Sequence, residues 1–119
     1  MLVTAAMLGV IAEAGDSVLT LVDGLDEADF ARSRLTRHEV RRQLLEIADA
    51  LQALPEAAHD AMPEIDWPGW HGTATALSQA GPSADDAAWF AARSMVPATL
   101  MWLQVYRRAE PDLFEFRPH

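Results

Sequence analysis

The chain has 119 residues, half of them apolar, with four tryptophans, no cysteine and a formal net charge of −9. That length suits one domain around one core, and the absence of cysteine excludes disulfides, thiol nucleophiles and thiolate metal sites together. An acidic balance opposes general nucleic-acid binding, which neutralises phosphates, and no run approaches the roughly 20 unbroken apolar residues of a membrane span, so a soluble, cytoplasmic protein without membrane contact is expected.

Residues 1–10 are apolar but carry no positive n-region and run on into a periodic pattern, which reads as a core helix and not as a signal peptide. Val3, Met7, Val10, Ala14, Val18 and Leu21 recur every three or four residues, predicting an amphipathic first helix over 2–22 with Gly24 as its C-terminal cap. Asp26 opens a short turn of helix through Phe30, whose ring anchors the connection to the core. Thr36 and Glu39 have the spacing of a capping box, and Leu35 and Val40 stand where a hydrophobic staple would, so a second long helix is predicted to start there. Its buried stripe is Val40, Leu44, Ile47, Leu51 and Leu54. Pro55 has no amide to continue the ladder and kinks or ends that helix, with a further turn or two over 56–61 and a connector over 62–68.

Asp66 is placed to cap a third helix with Pro68 in its first turn, although Gly69, Gly72, Thr73 and Thr75 make it the weakest of the four. It ends near Ala80, where Gly81 and Pro82 break it. Ser83 with Asp86 repeats the capping signature and starts a fourth helix, whose stripe is Trp89, Ala92, Val96, Leu100 and Leu103 and which Pro97 should kink. Beyond 109 a tail over 110–119 holds two prolines and packs through Leu113, Phe114 and Phe116. The expected architecture is all-α, an antiparallel four-helix bundle with a kinked last helix, as one domain over 1–109 followed by the tail.

Candidate chemistry is sparse. No two histidines form His-x-x-x-His, a spacing that puts two ligands on one helix face. His59, Asp60, Glu64 and His71 are the closest cluster, split by a proline-containing connector, so no metal and no other cofactor is expected. No nucleophile-elbow pattern is present. All nine cations are arginine, and Arg32, Arg34, Arg37, Arg41 and Arg42 fall within eleven residues, one basic patch that reads as a solvated face paired with nearby acids. Trp67, Trp70, Trp89 and Trp102 read as core or interface before they read as a ligand pocket.

Asp23-Gly24-Leu25, then Phe30, Thr36, Val40, Arg42, Leu44, Ile47 and Ala48-Asp49-Ala50, then Met62-Pro63-Glu64-Ile65-Asp66-Trp67, and finally Asp86, Trp89 and Pro97, follow in an order that resembles the small HEPN domains of the HepT-like kind. In that family the Ala-Asp-Ala step is usually Gly-Glu-Ala and the connector reads Pro-Glu-Ile-Pro-Trp. The resemblance covers nearly the whole chain. It implies a four-helix bundle that dimerises, in a family of metal-independent ribonuclease toxins whose partners are small nucleotidyltransferase antitoxins, with the site straddling the dimer.

The family's signature is Arg, four residues, His, and often a Tyr two residues later; here those positions are Ala74, Gln79 and Gly81. Alanine cannot hold the scissile phosphate, and glutamine has no titrating proton near neutrality. Loss of a general acid or base typically costs about 10²–10⁴-fold in rate. Gly81 also lacks the hydroxyl on which the antitoxin is thought to act in related pairs. The leading expectation is a catalytically degenerate HEPN-like homodimer serving as a binding or regulatory module. Two readings stand beside it: a divergent ribonuclease that uses His71 with Arg93 or with Arg37, Arg41 and Arg42, and a small-ligand bundle lined by the tryptophans. His71 alone reads first as a solvated or capping residue, and RNA is disfavoured as a partner by the net charge.

Overall fold

In the computed structural model, which describes residues 2–79 and 81–114, the helices are α1 (Leu2–Val22), α2 (Glu27–Arg32), α3 (Arg34–Ala53), α4 (Glu56–Ala61), α5 (Trp67–Leu77), α6 (Pro82–Phe90), α7 (Val96–Ala109) and α8 (Pro111–Phe114), with a π-helical turn over Ala91–Met95 joining α6 to α7. No strand occurs among the described residues. The architecture is therefore all-helical, as the periodicity predicts, and it is elongated, with extents of 49 × 26 × 22 Å.

α1 buries Thr4, Leu8, Ile11, Ala14, Val18 and Val22. This face is rotated from the predicted stripe: Ala14 and Val18 are shared, Met7 and Leu21 are half-buried, Val10 is exposed, and the Val3 side chain lies outside the described residues. The reason is packing on more than one side, because α1 meets α3, α7 and α8. A helix apolar nearly all round gives a weak phase signal. Gly15 lets α7 approach, since a Cβ there would lie 2.8 Å from Leu100 Cδ2, and Gly24, at φ +75°, ends the helix in the left-handed conformation that glycine adopts without strain. Thr4–Val22 is long and apolar enough, by length and composition, to cross a membrane, because a few polar residues interrupt the run without lowering its average much; Glu13 and Asp16 stand exposed within it while its other faces line the core.

The start of α3 also differs from expectation. Ser33 is its N-cap and accepts from Thr36 N–H at 3.3 Å, so Thr36 sits inside the first turn, the Thr36–Glu39 box does not form, and Leu35 is 84% exposed with no staple. The cause is upstream. Ser33 closes α2 and opens α3 at once, and the capping box belongs to α2, where Asp26 and Asp29 exchange bonds of 2.7 and 3.1 Å. Beyond that start, Val40, Leu44, Ile47, Leu51 and Leu54 are all buried as predicted.

Pro55 ends α3 and opens α4. Asp66 caps α5 by accepting from Gly69 N–H at 3.0 Å, and a Cβ at residue 69 would collide with that same carboxylate. α6 begins at Pro82, preceded by Gly81 at φ +105°, so Ser83 lies within the helix and the predicted Ser83–Asp86 cap is not made. Proline's fixed φ starts the helix two residues early, with Gly81 and not Ser83 at the cap position. The irregularity expected at Pro97 lies one turn before it, where Val96 N–H bonds back five residues to the Ala91 carbonyl. α8 packs on α1 and α7, with Leu113 and Phe114 half-buried and the Arg107 guanidinium 5.1 Å from the Phe114 ring, so the helical body extends past residue 109; Phe116 lies outside the described residues.

The buried polar groups are partnered. Trp70 Nε1 donates to Thr99 Oγ1 at 3.0 Å, Thr73 Oγ1 donates to Met95 Sδ at 3.2 Å, and Glu64 N–H donates to Tyr106 Oη at 3.2 Å. No buried side-chain nitrogen or oxygen among the described residues lacks a partner, as a settled core requires.

Candidate functional site

The three positions that the resemblance singles out have structural neighbours and no chemistry of their own. Ala74 is half-buried on α5 and packs against the core. Gln79 is exposed, and its backbone carbonyl accepts from Arg41 Nη2 at 3.1 Å. Gly81 is the turn residue before α6. His71 is exposed on α5, with Nδ1 3.2 Å from Gln52 Nε2 on α3.

The arginines of the patch are engaged one by one. Arg37 donates through Nη1 to the carbonyls of Phe30, at 3.3 Å, and Ala31 at the end of α2, and its Nε is 3.7 Å from Asp85 Oδ1. It holds α2 and α6 against α3. Arg41 ties α3 to the turn after α5. Arg42 grips Glu39 through two bonds, of 2.6 and 3.1 Å; these, with the amide of Gln43, hold the Glu39 carboxyl down at about 2. Arg93 lies over the Trp89 ring at 5.4 Å from its centroid, and Trp89 in turn tilts against Phe30 at 5.2 Å. The expectation of a face paired with nearby acids is met at Arg32, Arg37 and Arg42, while Arg41 bonds to backbone.

His71 and Arg41 do not share a place within one chain. Its partner Gln52 lies eleven residues from Arg41 along α3, about 16 Å at the rise of an α-helix. A guanidinium and an imidazole serving one phosphate would have to converge within a few ångströms of it.

What the structure does gather is at the other end of α3. His59 from α4, Trp67, Trp70 and His71 from α5, and Gln52 from α3 line a cleft of about 190 Å³. His59 stacks on Trp67 with ring centroids 3.9 Å apart and planes 10° from parallel, and its Nε2 lies 3.1 Å from the Leu51 carbonyl. A carbonyl only accepts, so the ring proton is on Nε2 and Nδ1 is the acceptor. Of the four residues that the sequence groups as metal candidates, His59 and His71 line this cleft and Asp60 and Glu64 do not. No group of three potential ligands forms among the described residues. Sequence reasoning misses Gln52, because nothing in its local pattern marks it; it emerges only when α5 is laid on α3.

A larger and more open groove, of about 520 Å³, runs between α1 and α7 past Asp16, Leu19, Pro97, Leu100 and Arg107. Along the outer side of α6 and α7, Phe90, Met101 and Val105 are 61%, 50% and 44% exposed.

Comparison with known proteins finds no matching family model, no matching curated protein and no matching solved structure.

Proposed function

We propose that the chain is a degenerate HEPN-like protein of the HepT-like kind, an antiparallel four-helix bundle that forms a homodimer and works as a binding or regulatory module without ribonuclease activity. The observation that carries this reading is the character of positions 74, 79 and 81: a packed methyl group, an exposed amide whose carbonyl serves Arg41, and a turn glycine. None can bind phosphate by charge or move a proton. The separation of His71 from Arg41 along α3 speaks against a site rebuilt from those two within one chain. For the dimer, support comes from Phe90, Met101 and Val105, large apolar side chains turned outward on the last long helical run. A nucleotidyltransferase-type antitoxin would be the partner in this reading.

Cleavage of a mixed RNA by the purified chain in chelator, beside an Ala74→Arg, Gln79→His double variant, tests the proposal. The wild type should leave RNA intact and the double variant should gain activity. Wild-type cleavage that vanishes in His71→Ala would overturn the loss of activity, and a monomeric mass at micromolar concentration would overturn the dimer.

A further inference from the structure

The cleft at the far end of α3 combines a defined volume with an unusual division of polar groups. Both indole N–H groups that could have reached into it are engaged elsewhere, Trp67 with the Met62 carbonyl at 3.1 Å and Trp70 with Thr99. The tryptophans therefore offer it carbon surface. The Nε2 proton of His59 is held by Leu51. With the Gln52 amide nitrogen on His71 Nδ1, the His71 proton sits on Nε2. The lining thus retains two N–H donors, the Nε2 of His71 and the second amide hydrogen of Gln52, and two acceptors, the Nδ1 of His59 and the Oε1 of Gln52. Neither arginine nor carboxylate lines the cleft.

We propose that this cleft binds a small neutral heteroaromatic ring system, planar and of one or two fused rings, laid against the indole and imidazole surface and hydrogen-bonded at its edge by His71 and Gln52. Size supports the class. An apolar cavity of about 150 Å³ holds a benzene ring, and pockets for drug-sized ligands begin at about 300 Å³, so about 190 Å³ takes a ring slightly larger than benzene. Charge supports it as well, because a phosphorylated ligand would find no cation in the lining. The parallel His59–Trp67 pair is already stacked and bonded to backbone at both rings, so few side chains need ordering when a ligand enters. This site rests on its own geometry and stands whether or not the chain belongs with the HEPN proteins.

The test is isothermal titration of the full chain with adenine and with benzimidazole, using adenosine monophosphate as the charged counterpart. Saturable one-site binding of the neutral rings is expected, with the monophosphate at least about tenfold weaker. Ala74→Leu, which fills the cleft from α5, should weaken binding by about tenfold or more, the scale on which single methylenes are discriminated in apolar pockets. Gln52→Ala, at an exposed position where folding is not at risk, should weaken it severalfold. No saturable heat from either ring up to millimolar concentration would overturn the proposal. Unchanged binding in Gln52→Ala together with a folded Ala74→Leu would overturn the location, and monophosphate binding as tight as adenine would overturn the neutral class. RNA cleavage assays bear on none of these outcomes, so this site and the family reading fail separately.

Discussion

The two ends of α3 meet their surroundings in opposite ways. Its first half carries Arg37, Arg41 and Arg42, each held by a nearby carbonyl or carboxylate. Its second half presents Leu51 and Gln52 to a gap between aromatic rings. Charge is conspicuous in a sequence and invites a binding role, yet a long flexible cation surrounded by acids and carbonyls is readily absorbed by its neighbours. Flat rings cannot rearrange to close a gap of their own shape, so the less conspicuous end keeps the open space.

The contrast can be broken most forcefully at the ring end. Trp70→Ala removes a side chain only 2% exposed and strands the Thr99 hydroxyl; a loss of about 3–5 kcal/mol is expected from urea unfolding, and a loss below that of Arg37→Ala would reverse the ranking of the two ends. At the arginine end, Gly81→Ala forces an L-residue to φ +105° and should cost about 1–2 kcal/mol in the same experiment. Arg37→Ala releases the end of α2 and the link to Asp85, for roughly 1 kcal/mol, with amide exchange rising in α2 before anywhere else. The smallest effect concerns Glu39. Its folded-state carboxyl is lowered to about 2 from 4.5, so the contribution it makes is present above pH 4.5 and disappears as pH falls through that interval. Carbon-detected titration of Arg42→Gln should return Glu39 towards the ordinary carboxylate range while neutral-pH stability stays nearly constant, since the pair is open to solvent. A Glu39 titration unmoved by that substitution would show that Arg42 does not hold it.

Much of the fold is legible in the residue pattern alone, and the failures have local causes. The stripe of α3 is legible because one face is buried and the rest is polar, whereas α1 packs on several sides and its phase is lost among small apolar residues. Asp66 is recognisable as a cap because Pro68 and Gly69 leave it no competitor. Thr36 and Ser83 have the right spacing but lose to Ser33 and to the Gly81–Pro82 pair, which start their helices earlier. For the cleft, Trp67, Trp70, His59 and His71 are visible as residues, but their convergence is not. It depends on α4 folding back after Pro55 and on a contact between residues 52 and 71 that no periodicity encodes.

The wide turn over Ala91–Met95 gives the last long helical run a freedom that ordinary helices lack. From Ala88 to Val96, both buried, is eight residues, which in a uniform α-helix would leave them about 80° apart around the axis; the extra residue of the wide turn takes up that angle. Removing one residue from a regular helix turns everything after it by about 100°. Here the deletion of Ser94, combined with Pro97→Ala to supply the missing amide, would convert the turn to regular α-helix and leave Thr99, Leu103 and Tyr106 facing the core. The seam is thus a length adjustment with no rotational consequence, a point where the chain can lose a residue and keep its register.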